Sequence, residues 1–272
     1  MQFAGALISR PVVYDSGMSE SLVSMSRPVW LRVYPLWQWL VFMPIAVLAT
    51  LVGAFLAVPM AVLVSPRLAN LYVAVPWGRV LTFFAPVRVI VEGAEALDRS
   101  RSYVLVANHQ SQFDIPVIYG HCGLDLRWVM KAELRKVPFI AQGCRAIGHI
   151  FVDRGNPDQA RQAVNAAVAR LKPGTGILFF PEGTRSRSGK LLDFKKGAFR
   201  VAIEQRMPLL PVTVIGSRDV MPADSLRITP GTVRLLIHPP VETEGMQLSD
   251  LRRLSDKVRT IIADGLKTDS GS

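Results

Sequence analysis

Thirty-four consecutive residues without a charge, Val33 to Pro66, lie between Arg32 and Arg67. A helix needs about 20 apolar residues to cross the hydrocarbon core of a bilayer, so this run is long enough to enter one. Trp30, Tyr34, Trp37 and Trp39 cluster at its start, as aromatics do at a membrane interface. A cleaved signal peptide has an apolar core of about 7–15 residues close to the N-terminus, which this run does not match. Pro44, Gly53 and Pro59 interrupt it, so the expectation is either one tilted span or two short helices that dip in and return. The bland alternative is a buried core helix. Segment 68–86 is also apolar, broken by Pro76 and Arg79, and is expected to lie along the surface.

The rest of the composition agrees with a membrane surface. Thirty-two basic against 21 acidic residues give a net charge of +11, and half the chain is hydrophobic. Disorder is excluded by that apolar content, and a basic, greasy chain points to anionic lipid. Nucleic acid is not expected, because there is no RNA-binding aromatic signature and no basic stripe interleaved with aromatics. Arg67, Arg79, Arg88, Arg99 and Arg101 follow the apolar run, against Arg10, Arg27 and Arg32 before it. That bias places the bulk of the chain on the cytoplasmic side of an inner or cytoplasmic membrane. Cys122 and Cys144 make no disulfide framework, and with four scattered histidines they make no zinc site. No metal and no cofactor are expected.

From residue 87 the pattern becomes α/β. Val87–Glu92, Tyr103–Ala107, Leu126–Met130, His149–Val152, Gly176–Phe180, Leu209–Ile215 and Thr232–Ile237 read as strands. Ala160, Val164, Ala167, Val168 and Leu171 recur at helical spacing behind Asn156-Pro157-Asp158. A second helix is expected after Gly197, and Leu251, Leu254, Val258, Ile261 and Ile262 stripe a closing one. Strands alternating with helices predict a largely parallel or mixed sheet flanked by helices on both faces. The chain therefore divides into a flexible N-terminal segment (1–32), a membrane-embedded or interfacial helical segment (33–86), a catalytic domain (87–245), and a C-terminal helix with a frayed polar tail (246–272).

Chemistry gathers at strand ends. Asn108-His109-Gln110-Ser111-Gln112-Phe113-Asp114 follows the second strand. His109 and Asp114 are five apart, about 140° around a helix, so they meet only if His109 lies in the turn and Asp114 opens the next helix. Pro116 supports that helix start. A carboxylate there fixes the imidazole tautomer and frees the other nitrogen as a base. Ser111-x-x-Asp114 also fits a capping box, with His109 a mere turn residue.

The stretch Phe180-Pro181-Glu182-Gly183-Thr184-Arg185-Ser186-Arg187-Ser188-Gly189-Lys190 offers a glycine turn, hydroxyls and cations, which suit a phosphate; the alternative is an exposed basic turn. It is not a P-loop: five residues separate Gly183 from Gly189 where four are required, and Leu191 stands where a hydroxyl must bind magnesium. Glu182 repels a phosphate and suits a neighbouring cation or a turn cap. Asp193 to Phe199 adds charge near a helix start, usually a solvated face. Lys131, at another strand end, reads either as a partner for an oxyanion or phosphate or as a surface lysine.

Asn-His-x4-Asp, then Phe-Pro-Glu-Gly-Thr-Arg-Ser, then a Pro-Val pair on a later strand, resembles the glycerolipid acyltransferase family. Asn108–Ser111 and Phe180–Ser186 are most similar to its lysophosphatidate acyltransferases. The resemblance covers roughly 85–240, and the ordered set of motifs is far more specific than either alone. It implies that His109 and Asp114 are catalytic and that Glu182, Gly183, Thr184 and Arg185 hold the acceptor's glycerol phosphate, with Lys131 assisting. It further implies a donor thioester (acyl-CoA or acyl carrier protein), a lysophosphatidate acceptor in the membrane, and phosphatidate as product. Because such donors are cytosolic, a hairpin anchor in the cytoplasmic leaflet fits better than a span. Other readings remain open: another lysolipid or glycerol-3-phosphate as acceptor, a hydrolase using His109, or a non-catalytic membrane-binding module.

Overall fold

The structure is a computed structural model that describes residues 34–268. Arg10, Arg27, Trp30, Arg32 and the 1–32 segment they belong to lie outside the described residues, as do residues 269–272 of the tail.

The apolar run forms one continuous helix, α1 (Tyr34–Leu63), which contains a π turn at Gln38–Phe42. Neither proline breaks it. Pro44 lies just after the π turn at Gln38–Phe42, where the backbone bonding already shifts, and Pro59 removes a single interior bond. Helical stretch 66–84, α2, then folds back against α1, and the Trp77 indole donates to the Thr50 hydroxyl at 3.0 Å. The chain thus reverses at Val64 and Ser65, at the end of the uncharged run, and the segment expected to lie along the surface supplies the helix that folds back. Leu40, Leu48, Phe55, Val62 and Leu63 of α1 are all more than half exposed. Its first turns are nevertheless tied to the domain. The buried Gln38 amide donates to the Leu226 carbonyl at 2.8 Å and accepts the Ile228 N–H at 2.9 Å.

All seven expected strands form, with ends displaced by one residue at most: β1 (Val87–Glu92), β2 (Val104–Ala107), β3 (Asp125–Lys131), β4 (Ile150–Val152), β5 (Thr175–Phe179), β6 (Leu209–Ile215) and β7 (Gly231–Ile237). They make one mixed sheet in the order β1-β7-β6-β2-β5-β3-β4, in which only the β6–β7 pair is antiparallel. The central strands β2 and β6 are buried along their whole length, as continuous apolar runs covered on both faces must be.

Alternation along β2 sorts the two cores. Leu105 and Ala107 face α3 (Asp114–His121) and the start of α1, whereas Val104 and Val106 face α5 (Pro157–Val168), α6 (Gly197–Glu204) and α7 (Leu251–Lys267). Between them in sequence, α4 (Ile140–Ile147) packs on α1. Asn156 caps α5 by accepting the Gln159 N–H at 3.1 Å, as its sequence start implies.

One crossing fixes the N-terminal helices to the domain. A Cβ on Gly78 of α2 would lie 2.7 Å from the Gly120 nitrogen and 2.8 Å from the Pro116 carbonyl oxygen of α3. No other residue fits that approach, so glycine sets the distance between α2 and the helix that Asp114 opens.

Candidate active site

The chain leaves β2 at Ala107, and Asn108 makes the exit rigid. Its side-chain amide donates to the Val214 carbonyl and accepts the Val214 N–H, both at 2.8 Å, which continues the pairing to β6 through a side chain. His109 therefore begins a turn with a fixed origin. Its N–H donates to Glu182 Oε1 at 2.7 Å, and its carbonyl accepts the Ser186 N–H at 2.8 Å.

The imidazole meets Asp114 as the helix-start reading requires. His109 Nδ1 lies 2.7 Å from Oδ2 of Asp114, which is fully buried. The same oxygen accepts the N–H groups of Gln110 at 2.8 Å and Ser111 at 3.0 Å. An oxygen receiving two backbone donors does not also carry the proton of the third contact, so that proton sits on Nδ1 and Nε2 presents a lone pair. The capping box forms only in half: Asp114 accepts the Ser111 N–H, but the Ser111 hydroxyl accepts from Phe113, not from Asp114. One carboxylate oxygen thus holds both the imidazole and the turn.

Phe180 stacks on the ring, with centroids 3.9 Å apart and planes 11° from parallel. Trp128 meets Phe180 edge-on at 5.7 Å. Sequence spacing gave no signal for this stack. Of the four histidines, His109 is the one facing a carboxylate; His121, His149 and His238 meet the hydroxyls of Thr82, Tyr119 and Thr213, and desolvation lowers the pKa of each.

Glu182 is buried beneath the turn. Its Oε1 holds the His109 N–H, its Oε2 accepts the Leu192 N–H at 2.9 Å, and burial raises its pKa against those bonds. Turn cap is the role this geometry realises, since both oxygens accept backbone N–H groups. Gly183 follows at φ +73°, where a Cβ would lie 2.7 Å from Lys195 Nζ. The Gly183 carbonyl accepts the Arg154 guanidinium. Thr184 is exposed. Arg185 is half-buried and donates to the Ala223 carbonyl at 2.5 Å. Lys131 is half exposed and pairs with Glu133 at 2.8 Å, so the tie it makes is a surface ion pair.

Each of the two motifs borders a cavity. One, of about 440 Å³, has Phe180 and Gly183 in its wall and Arg154, Arg161, Lys195 and Arg200 around it. Lys195 belongs to the Asp193–Phe199 stretch that reads as a solvated face, and Arg154 follows the fourth strand with no motif of its own to mark it. The other, of about 320 Å³, is apolar and runs between Gln112 and Ile115 at the start of α3, Trp128 and Met130 of β3, and Gly53 and Ala54 of α1. Among the described residues no group of three His, Cys, Asp or Glu side chains is placed to hold a metal ion.

Both the sequence and the fold of this chain are similar to those of known proteins. The acyltransferase family model matches residues 88–215. The 1-acyl-sn-glycerol-3-phosphate acyltransferase alpha of Ovis aries is 31% identical over 211 residues, 76% of this chain and 72% of that protein. The Homo sapiens protein of that name is also 31% identical, covering 76% and 73%. The crystal structure of the 1-acyl-sn-glycerophosphate (LPA) acyltransferase PlsC from Thermotoga maritima superposes with a TM-score of 0.66 at 31% identity, over 85% of this chain and 99% of that one.

Proposed function

The chain belongs to the family of 1-acyl-sn-glycerol-3-phosphate acyltransferases, and on that premise we propose that it moves a fatty acyl group from a thioester to the free hydroxyl of lysophosphatidate, giving phosphatidate. The observation that carries the reading is the 2.7 Å contact between His109 Nδ1 and the buried Asp114, which leaves Nε2 as a proton acceptor. The acceptor hydroxyl gives its proton to Nε2 as its oxygen attacks the thioester carbonyl. The C–O bond forms, the tetrahedral centre collapses, the C–S bond breaks, and the imidazolium returns the proton to the departing sulfur. Asp114 orients the ring and balances its charge while it is protonated. A thioester is already activated, so the step requires no covalent enzyme intermediate.

The substrates divide between the two cavities in this reading. The acceptor's phosphate lies among the cations around the Gly183 turn, where Arg154 and Lys195 join Arg185, and guanidinium forks suit a phosphate. The acyl chain takes the apolar cavity, whose wall includes α1. Both substrates carry chains that live in one leaflet, which gives the exposed apolar face of α1 its use. We assign the catalytic unit to 87–245 and orient it toward the cytoplasm, where acyl-CoA and acyl carrier protein are found. A cysteine placed at Gly53 that labels from the outer face would overturn that orientation.

Acyl transfer from labelled acyl-CoA, and separately from acyl carrier protein, to lysophosphatidate in detergent micelles tests the reaction, comparing the wild type with His109→Ala. Lysophosphatidylcholine and glycerol-3-phosphate run alongside as acceptors. Phosphatidate made by the wild type alone is the expected result. Release of free fatty acid with no acceptor present would replace the transferase with a hydrolase.

A further inference from the structure

A third cavity, the largest of those described at about 640 Å³, lies at the other ends of the strands. Arg67, Arg127, Arg135, Arg145, Arg170 and Lys172 line it against one carboxylate, Asp125. Arg127 is buried and bonded to Asp125 at 2.5 Å, so that pair is internally neutral. Arg135 donates to the Phe151 carbonyl at 3.2 Å and lies over the Phe151 ring. Arg67, Arg145, Arg170 and Lys172 are exposed, and none has a carboxylate partner among the described residues. Five cations drawn from α2, the turn after β3, α4 and the α5–β5 connection thus face one recess without compensating charge.

The recess is separate from the catalytic turn. Asp125 and Thr175, which line it, are the first residues of β3 and β5. Thr175 stands level with residue 102 of the β2 chain, because Ile177 pairs with Val104. Seven residues of extended chain therefore separate that level from His109, roughly 20 Å at 3.3 Å per residue. A phosphate bound there reaches neither Nε2 nor the Gly183 turn.

Its surroundings name the ligand class. Ser65, Pro66 and Arg67, the turn that joins α1 to α2, form one wall. Immediately before that turn, Val62, Leu63 and Val64 are 73%, 80% and 66% exposed. Apolar side chains beside a ring of arginines match a lipid, whose chains follow the first and whose phosphate takes the second. A soluble phosphate uses the cations but has no use for the apolar approach.

We propose that this recess binds the headgroup phosphate of an anionic phospholipid, at a site distinct from that for the lysolipid acceptor. The lipid lies in the leaflet that holds α1 and fastens the α1–α2 turn to the β4 edge of the domain. Arginine's fork matches phosphate oxygens, and each cation near an anionic headgroup contributes roughly fivefold in affinity.

The test uses the full chain in neutral detergent, with phosphatidylglycerol as the probe because it is neither acceptor nor product of the proposed reaction. Native mass spectrometry after addition of equal amounts of phosphatidylglycerol and phosphatidylcholine counts the lipid retained per chain. The wild type should keep one phosphatidylglycerol in preference to phosphatidylcholine. Arg145→Gln combined with Arg170→Gln and Lys172→Gln, all at exposed positions, should weaken that retention by about a hundredfold. Acyl transfer measured in neutral micelles should be unchanged in the same variant, which separates this site from the catalytic one. Equal retention of the two lipids by the wild type, or undiminished retention by the variant, would overturn the proposal. Displacement of the lipid by an equal concentration of glycerol phosphate would assign the recess to a soluble phosphate and overturn the lipid assignment.

Discussion

Glu182 Oε1 accepts the backbone N–H of His109 at 2.7 Å, across 73 residues of sequence. With Oε2 on Leu192 N–H, this carboxylate ties the histidine turn to the segment that closes the second motif. Glu182→Gln places an NH2 group against one of two backbone donors. The expected cost is about 1–3 kcal/mol of stability, the penalty for a buried donor left unpaired. Thermal unfolding in neutral detergent should show it, along with a lower kcat and little change in KM for the acceptor. An unchanged kcat would remove Glu182 from the positioning of His109.

Asp114→Asn tests the tautomer. An amide facing Nδ1 no longer requires the proton there, so the ring is free to present Nε2–H instead of a lone pair. In other carboxylate–histidine pairs that change costs about 10⁴-fold in kcat. A loss of 10³-fold or more with retained secondary structure is expected here, checked by single-turnover transfer and circular dichroism. A loss under tenfold would mean that Asp114 serves chiefly to hold the Gln110–Ser111 turn.

The cations near the site separate by position. Arg154 bonds the Gly183 carbonyl, whereas Lys131 pairs with Glu133 on the surface. Arg154→Gln should raise KM for lysophosphatidate about 10- to 100-fold, the value of one charge-assisted bond. Lys131→Gln should change it less than twofold, as expected for an exposed ion pair. Reversal of that order in steady-state kinetics would return Lys131 to the acceptor site and exclude Arg154.

Gly78→Ala probes how the N-terminal helices are held. The added Cβ would lie 2.7 Å from the Gly120 nitrogen, so α2 and α3 must separate. Overpacking of this kind costs about 1–3 kcal/mol. Gly53→Ala is the control, because its Cβ finds its nearest neighbour at 3.7 Å. Thermal unfolding should move for the first variant and not for the second.

His149 imposes a pH dependence. Desolvation, with Arg127 nearby, lowers its pKa to about 3, while the Tyr119 hydroxyl lies 2.8 Å from Nε2 and the Trp128 N–H donates to Nδ1. The folded ring stays neutral where the unfolded one takes a proton, so the unfolded state binds more protons below about pH 6.5. Stability is therefore lost as pH falls from about 6.5 toward 3, by up to about 1.4 kcal/mol per pH unit. His149→Gln should flatten that slope in unfolding measurements at pH 7, 5.5 and 4.5. An identical slope in the variant would place the acid sensitivity on other groups.

What could be read from sequence was the part governed by neighbours along the chain. The strand from Leu209 to Ile215 is a run of apolar residues, and the start of α5 is an Asn-Pro-Asp cap; both are local and both form as expected. The meeting of His109 with Asp114 was legible for the same reason, since a turn and one helix start close a five-residue gap. Glu182 was legible only as a choice between jobs, because its partners, His109 and Leu192, are supplied by strand order.

Sheet topology decided the remainder. β2 lies between β5 and β6, and that order brings Glu182 under His109, Phe180 onto its ring, and Val214 against Asn108. The path of α2 over α3 was hidden because its signal is a missing side chain at Gly78 and Gly120, visible only once the helices touch. Arg185, predicted to face a phosphate, spends one nitrogen on the Ala223 carbonyl, while Arg154 reaches the Gly183 turn from another strand end. Periodicity and turn chemistry act over a few residues and are written in the sequence directly. The gathering of Arg67, Arg145, Arg170 and Lys172 around one recess joins residues up to 105 positions apart, and it exists only after the sheet has ordered its strands.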